Sequence, residues 1–538
     1  MRMLGVVVVS LAARQALACG GLFCSGTAPV DQSAEQVLFE VEDDGTITAT
    51  VEVKYSGDPR SFSWIIPVHG TPDFVSTAPS QLFKFLEVTT RPSVIAPPTT
   101  CGDYGFYSPD EGGEGEGEGQ SAGGGVDVTS YPDVGPYDGI VVVDGRDPAV
   151  LSAWLTDHGY LVTDAMKPVI EEYALENQKF LALRLQPDVD ISKIVPVRFH
   201  CPAPLPVVPS RLTSLAAEPH MGMVVTLLAS QRYTPANWEE VRIDPDDVVW
   251  DWSTYQSNYG SLVALRMDEH GGRAFAVERA GPSAFIKDLT DSQIAFATDY
   301  YDGTYLGDPA DLDAAAYIDD VVTRHPYVTR FYTRVSSEEM TDDPQFRPAP
   351  ELGGVDGTID LSARTPVDMC TTYRPPVTPC SFLYCGAASE CGLSRDNSAG
   401  CACGVGMVAR AITSTQPFAP KEVACAPLST NVMTSTTAGC DGVSCGGHGT
   451  CSAINGTAAC ACDAGTIAVA TEWELGGVTC MNASELRGNG DIDRHTIPVQ
   501  LDFAARNIGG APFACGAAGG SSLLAALALV LGARRRRR

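Results

Sequence analysis

The chain has 538 residues and 18 cysteines, with 36 Lys+Arg against 66 Asp+Glu and a formal charge of −30. That length exceeds one domain of usual size, and a hydrophobic content of 44% supports a sizeable core and excludes global disorder. The acidity argues against nucleic acid as a partner, because phosphate binding needs clustered Lys/Arg; there are only seven lysines, and five arginines stand together at the extreme C-terminus.

Residues 1–18 read as an export signal. Arg2 is the basic start, Leu4 to Ala13 is an apolar run too short to span a bilayer, and Ala16-Leu17-Ala18 is a small-x-small cleavage site. Cleavage there leaves Cys19 first, which raises lipidation of that cysteine as an alternative, although Ala16 stands where a lipobox usually has Leu.

The next 332 or so residues, 19–350, read as one unit. Val37, Phe39 and Val41 alternate, as do Ile47, Ala49, Val51, Val53 and Tyr55, with Asp43-Asp44-Gly45 between them, which predicts a β-hairpin. Phe62–Ile66 predicts a strand stopped by Pro67, and Ser80 to Val88 a helix. Ile140–Val143 predicts a buried strand. Asp147-Pro148 then opens a helix through Leu151, Trp154 and Leu155, with Asp as cap and Pro in the first turn. A helix over Val169–Glu176 and a strand over Phe180–Leu185 follow. Further strands are expected at Met223–Ala229, Ala274–Val277 and Val328–Val335, and a helix at Leu312–Thr323. Hairpins mixed with helices out of strict βαβ order predict an α+β domain. Residues 108–130, with the run EGGEGEGEGQSAGGG, predict a flexible, disordered Gly/Glu-rich insertion.

Several segments carry a family resemblance. The start Cys19-Gly20-Gly21-Leu22-Phe23-Cys24, FSWIIPV (62–68), DPAVLSAWLTDHGY (147–160), the Phe180–Leu185 strand and YVTRFYTRVSSEEMTDDPQF (327–346) together resemble the secreted domain of unknown function 2330. The resemblance implies export and a single domain. It implies no activity.

Twelve cysteines lie between 380 and 480. Cys380, Cys385, Cys391, Cys401, Cys403 and Cys425 are separated by 4, 5, 9, 1 and 21 residues; Cys440, Cys445, Cys451, Cys460, Cys462 and Cys480 by 4, 5, 8, 1 and 17. Two blocks of nearly equal spacing are an internal repeat, and six cysteines in a short exported block read as three disulfides replacing a core. Spacing alone leaves the pairing open. Each block resembles an EGF-like module, most closely at CGGHGTC (445–451). That resemblance implies the pairs 380–391, 385–401 and 403–425, then 440–451, 445–460 and 462–480. Calcium is not expected in these modules, since Thr378-Pro379 and Ala438-Gly439 stand where calcium-binding versions carry acids. Residues 351–379 and 481–514 read as linkers. Cys19, Cys24, Cys101, Cys201, Cys370 and Cys515 are left over.

At the end, Cys515-Gly516, an apolar stretch from Ala517 to Ala533 and Arg534–Arg538 follow in order. As a helix the stretch spans about 25 Å, short of the roughly 30 Å hydrocarbon layer. The arginines hold that end inside by the positive-inside rule, so the rest is exported. The three parts resemble a MYXO-CTERM sorting tail, which implies processing at Cys515-Gly516 and display at the cell surface or outer membrane. A plain C-terminal membrane anchor is the alternative. Without residues 1–18 and 515–538 the chain keeps all 66 acids against 29 bases.

No catalytic, cofactor or metal residue is assigned, and no cofactor is expected. GVSCG (442–446) has the nucleophile-elbow pattern but sits in a disulfide loop rather than between strand and helix. The histidines are scattered; His200-Cys201-Pro202 is read as structural. NGDID (489–493) lacks the Gly and the final Glu of a calcium loop. Asp244-Pro245-Asp246-Asp247 is read as a solvated face. The function expected is a surface-displayed binding or structural protein whose partner is a protein or cell surface. The alternative is an exported enzyme with its site in 19–350.

Overall fold

The computed structural model describes residues 30–486, apart from internal stretches of which 100–127, 368–378, 413–421 and 429–439 are the longest. The expected signal, the Glu-rich run 111–125, the NGDID segment and the 515–538 tail lie outside the described residues.

The N-terminal domain mixes α and β. The hairpin forms as Val30–Val41 and Ile47–Gly57, turning through Gly45 at φ +84°. It lies inside an eight-stranded sheet ordered 239–241, 274–282, 327–335, 217–229, 30–41, 47–57, 197–201, 74–77. Val30–Val41 runs parallel to Ala217–Ala229 and antiparallel to its other neighbour. Period-two alternation decides what each face meets. Val37, Phe39, Met223, Val225 and Leu227 look toward a second sheet, ordered 63–68, 179–184, 140–144, 128–131. Leu38, Leu228 and Val328 look the other way, onto helices Leu82–Thr90, Ala284–Phe296 and Pro309–Arg324. Helices Pro148–Asp157 and Met166–Leu175 add Leu151, Trp154, Leu155, Ile170 and Tyr173 to the core of the second sheet. Asp147 caps the first of these, accepting from the amides of Ala149 at 3.0 Å and Val150 at 3.3 Å.

Three expectations need correction. Pro67 does not stop its strand, which runs Ser63–Val68; this is the edge strand of its sheet, where a missing N–H costs no ladder bond. The insertion ends earlier than 130, because Val128–Tyr131 pairs with Ile140–Val143. Residues 351–379 are not simply a linker. Val355 exchanges backbone bonds with Ala280, Thr358–Asp360 pairs in parallel with Ser93–Ile95, and Ile359 and Leu361 are buried beside Val94, Val248 and Trp250. Their apolar side chains join a core otherwise built from residues before 350.

The cysteine-rich region holds six disulfides, joining 380–391, 385–401, 403–425, 440–451, 445–460 and 462–480. Each block pairs its first with its third cysteine, second with fourth and fifth with sixth. The blocks are not two beads, however. Strands Glu390–Ser394 and Ala399–Ala402 of the first block close a four-stranded barrel with Thr466–Ala470 and Val478–Leu486 of the second. Met407–Ile412 and Glu422–Pro427 of the first form a sheet with Gly449–Ile454 and Thr457–Cys462 of the second. The two junctions are the same contact made twice: Cys401 pairs with Ala468, and Cys460 pairs with Ala409. In each, the fourth cysteine of one block meets the residue six places after the fifth cysteine of the other. This is an internal two-fold arrangement, and the disulfides of both blocks share one core.

Candidate functional site

The Ala274–Pro282 strand loses register against its neighbour between Val277 and Arg279, so Glu278 is the extra residue of a β-bulge. A bulge re-aims the side chains around it. Glu278 is buried, and one of its carboxylate oxygens accepts from Arg330 Nε at 2.5 Å. Arg330, only 2% exposed, also reaches Glu87 at 2.7 Å and Thr90 Oγ1 at 3.0 Å. Tyr259 bonds to Glu278 as well, and burial, reinforced by that carboxylate, pushes its hydroxyl well above the usual range.

Arg279 lines a cleft of about 700 Å³, bounded by the end of its strand, Tyr259, Arg242, Phe285 and the loop 354–359. A volume of that size lies within the range of small-ligand sites. The guanidinium of Arg279 lies over the Phe285 ring, 4.6 Å from its centroid, and its Nε donates to Thr90 O at 3.3 Å. It fits against Gly357, whose φ is +75° and where a Cβ would fall 2.7 Å from Nη2. No carboxylate of a described residue comes within ion-pair distance of Arg279 or of Arg242. The acids nearby are committed elsewhere: Glu278 to Arg330 and Tyr259, and Asp356 to the Thr358 amide at 2.8 Å. Burial lowers the pKa of Arg279, while the charges around it oppose one another, Asp356 and Glu278 raising it and Arg330 lowering it. The cleft therefore offers guanidinium donors that no described carboxylate engages in an ion pair.

A second cavity, about 60 Å³, lies between the two sheets and is lined by Val37, Trp64, Phe199, Cys201 and Val208. It is too small for an organic ligand. Cys201 is unbridged and buried, and burial, with Asp73 adding to it, pushes its thiol up to about 12. His200 is not its partner; consecutive strand residues face opposite ways, and His200 bonds to Asp73 at 2.9 Å and stacks on Phe74. Ser444 Oγ accepts from the Gly446 amide in the disulfide loop, with no strand–helix elbow around it. Asp247 is not a solvated acid, since it pairs with Arg266. Cys19, Cys24, Cys101, Cys370, Cys515 and Gly516 lie outside the described residues.

The fold also assembles groups that no spacing reveals. Glu40, Glu42 and His325 bring ligand atoms within 4.8 Å of one another. Arg198 and Arg324 already donate to both oxygens of Glu40, and Tyr317 adds a third donor at 2.5 Å, so this is an ion-pair network. At the junction with the disulfide unit, Asp268 accepts from Tyr384 Oη at 2.6 Å and from the Ala387 amide at 3.1 Å. Asp268 also shares a hydrogen bond with Glu339, and burial followed by mutual repulsion raises the Glu339 pKa. His220, fully buried at φ +52°, packs its ring 5.3 Å from that of Tyr384. Neither of its ring nitrogens has a hydrogen-bond partner. In the sequence Arg279 and Arg242 look like ordinary surface bases; the only signal is a charged Glu-Arg pair closing an apolar strand.

A mixed α/β domain with a donor-lined cleft, joined to a disulfide-stapled β unit, is the architecture of a protein built for an oxidising compartment. The chain belongs to the family of uncharacterized proteins conserved in bacteria (DUF2330), whose model matches residues 13–347. No curated protein and no solved structure matches it.

Proposed function

We propose that this is an exported binding protein displayed at the cell surface, with the Arg279 cleft facing its ligand. The observation that carries the reading is the chemistry of the cleft, where two guanidiniums make no ion pair with a described carboxylate while Glu278 bonds to Arg330 and Asp356 accepts from the Thr358 amide. Such a wall holds a ligand rather than supplying a free base or nucleophile to it. The disulfide unit is read as a pair of EGF-like modules fused into one rigid spacer; the repeated one–three, two–four, five–six pairing supports this. Residues 515–538 are read as a MYXO-CTERM sorting tail, supported by the order Cys-Gly, apolar stretch, Arg block.

Protease applied to whole cells tests the display reading. External digestion of the protein is expected, and Cys515→Ala should retain it in the membrane that the tail first enters. A protein left intact while a known surface protein is digested sinks the reading.

A further inference from the structure

We infer that the cleft beside the 278 bulge binds a small organic oxyanion, with Arg279 as its principal contact and Arg242 at the rim. The inference rests on the reading of this cleft as the binding site and names the ligand class. Arg279 is held from three sides, by Thr90 O, the Phe285 ring and the Gly357 backbone, so its fork is fixed before any ligand arrives. Each of these contacts leaves the guanidinium charge unneutralised. A planar fork presents paired N–H donors that match the two oxygens of a carboxylate or phosphate.

The local charges explain why the site accepts an anion in so acidic a protein. Arg330 faces Arg279 across the two strands and answers the buried Glu87 and Glu278. Of the two cleft carboxylates that act on Arg279, Glu278 is bonded to Arg330 and Tyr259, and Asp356 accepts from the Thr358 amide and stays out of ion-pair distance. An arriving oxyanion takes the place that Asp356 leaves open. The apolar parts of the wall, Ile243, Val355, Phe285 and Ile359, suit the carbon skeleton of an organic ligand. The net charge of −30 repels anions at long range, so binding here is a matter of local donors and improves as modest salt screens the field.

Calorimetric titration of the full exported chain with galacturonate, citrate, inorganic phosphate and neutral galactose tests this. Galacturonate or citrate is expected to bind and galactose not; the phosphate arm tells whether a carboxylate or a phosphate is the preferred group. R279Q should lower the affinity about 10- to 100-fold, the loss of one or two charge-assisted hydrogen bonds. R242Q should lower it less, with unchanged melting. Binding of no charged probe, equal binding of galactose, or full affinity in R279Q overturns the inference. If R279Q does not fold, R242Q decides, and an undiminished affinity there overturns it. Surface digestion that succeeds while no probe binds defeats this inference alone, whereas binding by a protein that resists digestion defeats only the display reading.

Discussion

Arg330 is a buried guanidinium held by two buried carboxylates. Removing it strips Glu87 and Glu278 of the guanidinium they share away from water. Arg330→Met should cost about 3–5 kcal/mol, measured by denaturant unfolding. A loss below about 1 kcal/mol would mean that water reaches the pair. Glu339 makes the opposite kind of prediction. Its folded pKa is raised to about 8 by burial and then by Asp268, so folding prefers the protonated acid. The penalty is absent below the ordinary carboxylate range and grows as pH rises to about 8. E339Q keeps a donor toward Asp268 without the charge. It should melt a few degrees above the natural protein at pH 8.5 and match it near pH 4.5. Equal melting at pH 8.5 would show the pair to be solvated. His220 acts in the reverse sense, since burial lowers its pKa to about 3 and its penalty grows toward acid.

Among the elements, helix 148–157 depends on a local signal. Asp147→Ala removes the acceptor for two orphan amides and should cost about 1 kcal/mol, read by denaturation and by faster amide exchange in the first turn. That cap was plain in the sequence, as were the hairpin at 43–45 and the buried strands, because each rests on neighbouring residues. Other elements also show their period in the sequence. Tyr259, Leu262, Val263 and Met267 recur at helical spacing in Tyr259–Glu269. Ala284–Phe296 buries only Ile286 and Thr290, so its periodicity is faint. The bulge at 278 and the strand at 358–360 could not be read at all. One depends on register against a distant strand, the other on a gap in a core assembled from remote segments. The cleft inherits that difficulty, because Arg242, Arg279 and Gly357 meet only after the sheet has formed.

At the scale of the molecule, the two cysteine blocks stand or fall together. A Cβ at Gly400 would lie 2.4 Å from the carbonyl oxygen of Ala468, in the other block. Gly400→Ala should therefore loosen both blocks, by about 1–3 kcal/mol, with amide exchange rising in 466–470 as well as in 399–402. Exchange confined to the first block would show that the blocks are independent. The shared arrangement also bears on synthesis. An exported chain emerges from its N-terminal end, so residues 380–427 reach the oxidising side before their complement exists. The first block can close its own three disulfides, yet the edges at 399–402 and 407–412 stay bare until residues 457–470 arrive. During that interval each nascent molecule offers a neighbour the surface that its own second repeat will later cover, and the same two-fold contact made between chains would give an exchanged dimer. The acidity of the exported chain works against that encounter. Its many like charges keep half-finished copies apart for as long as each must wait for its own remaining sequence.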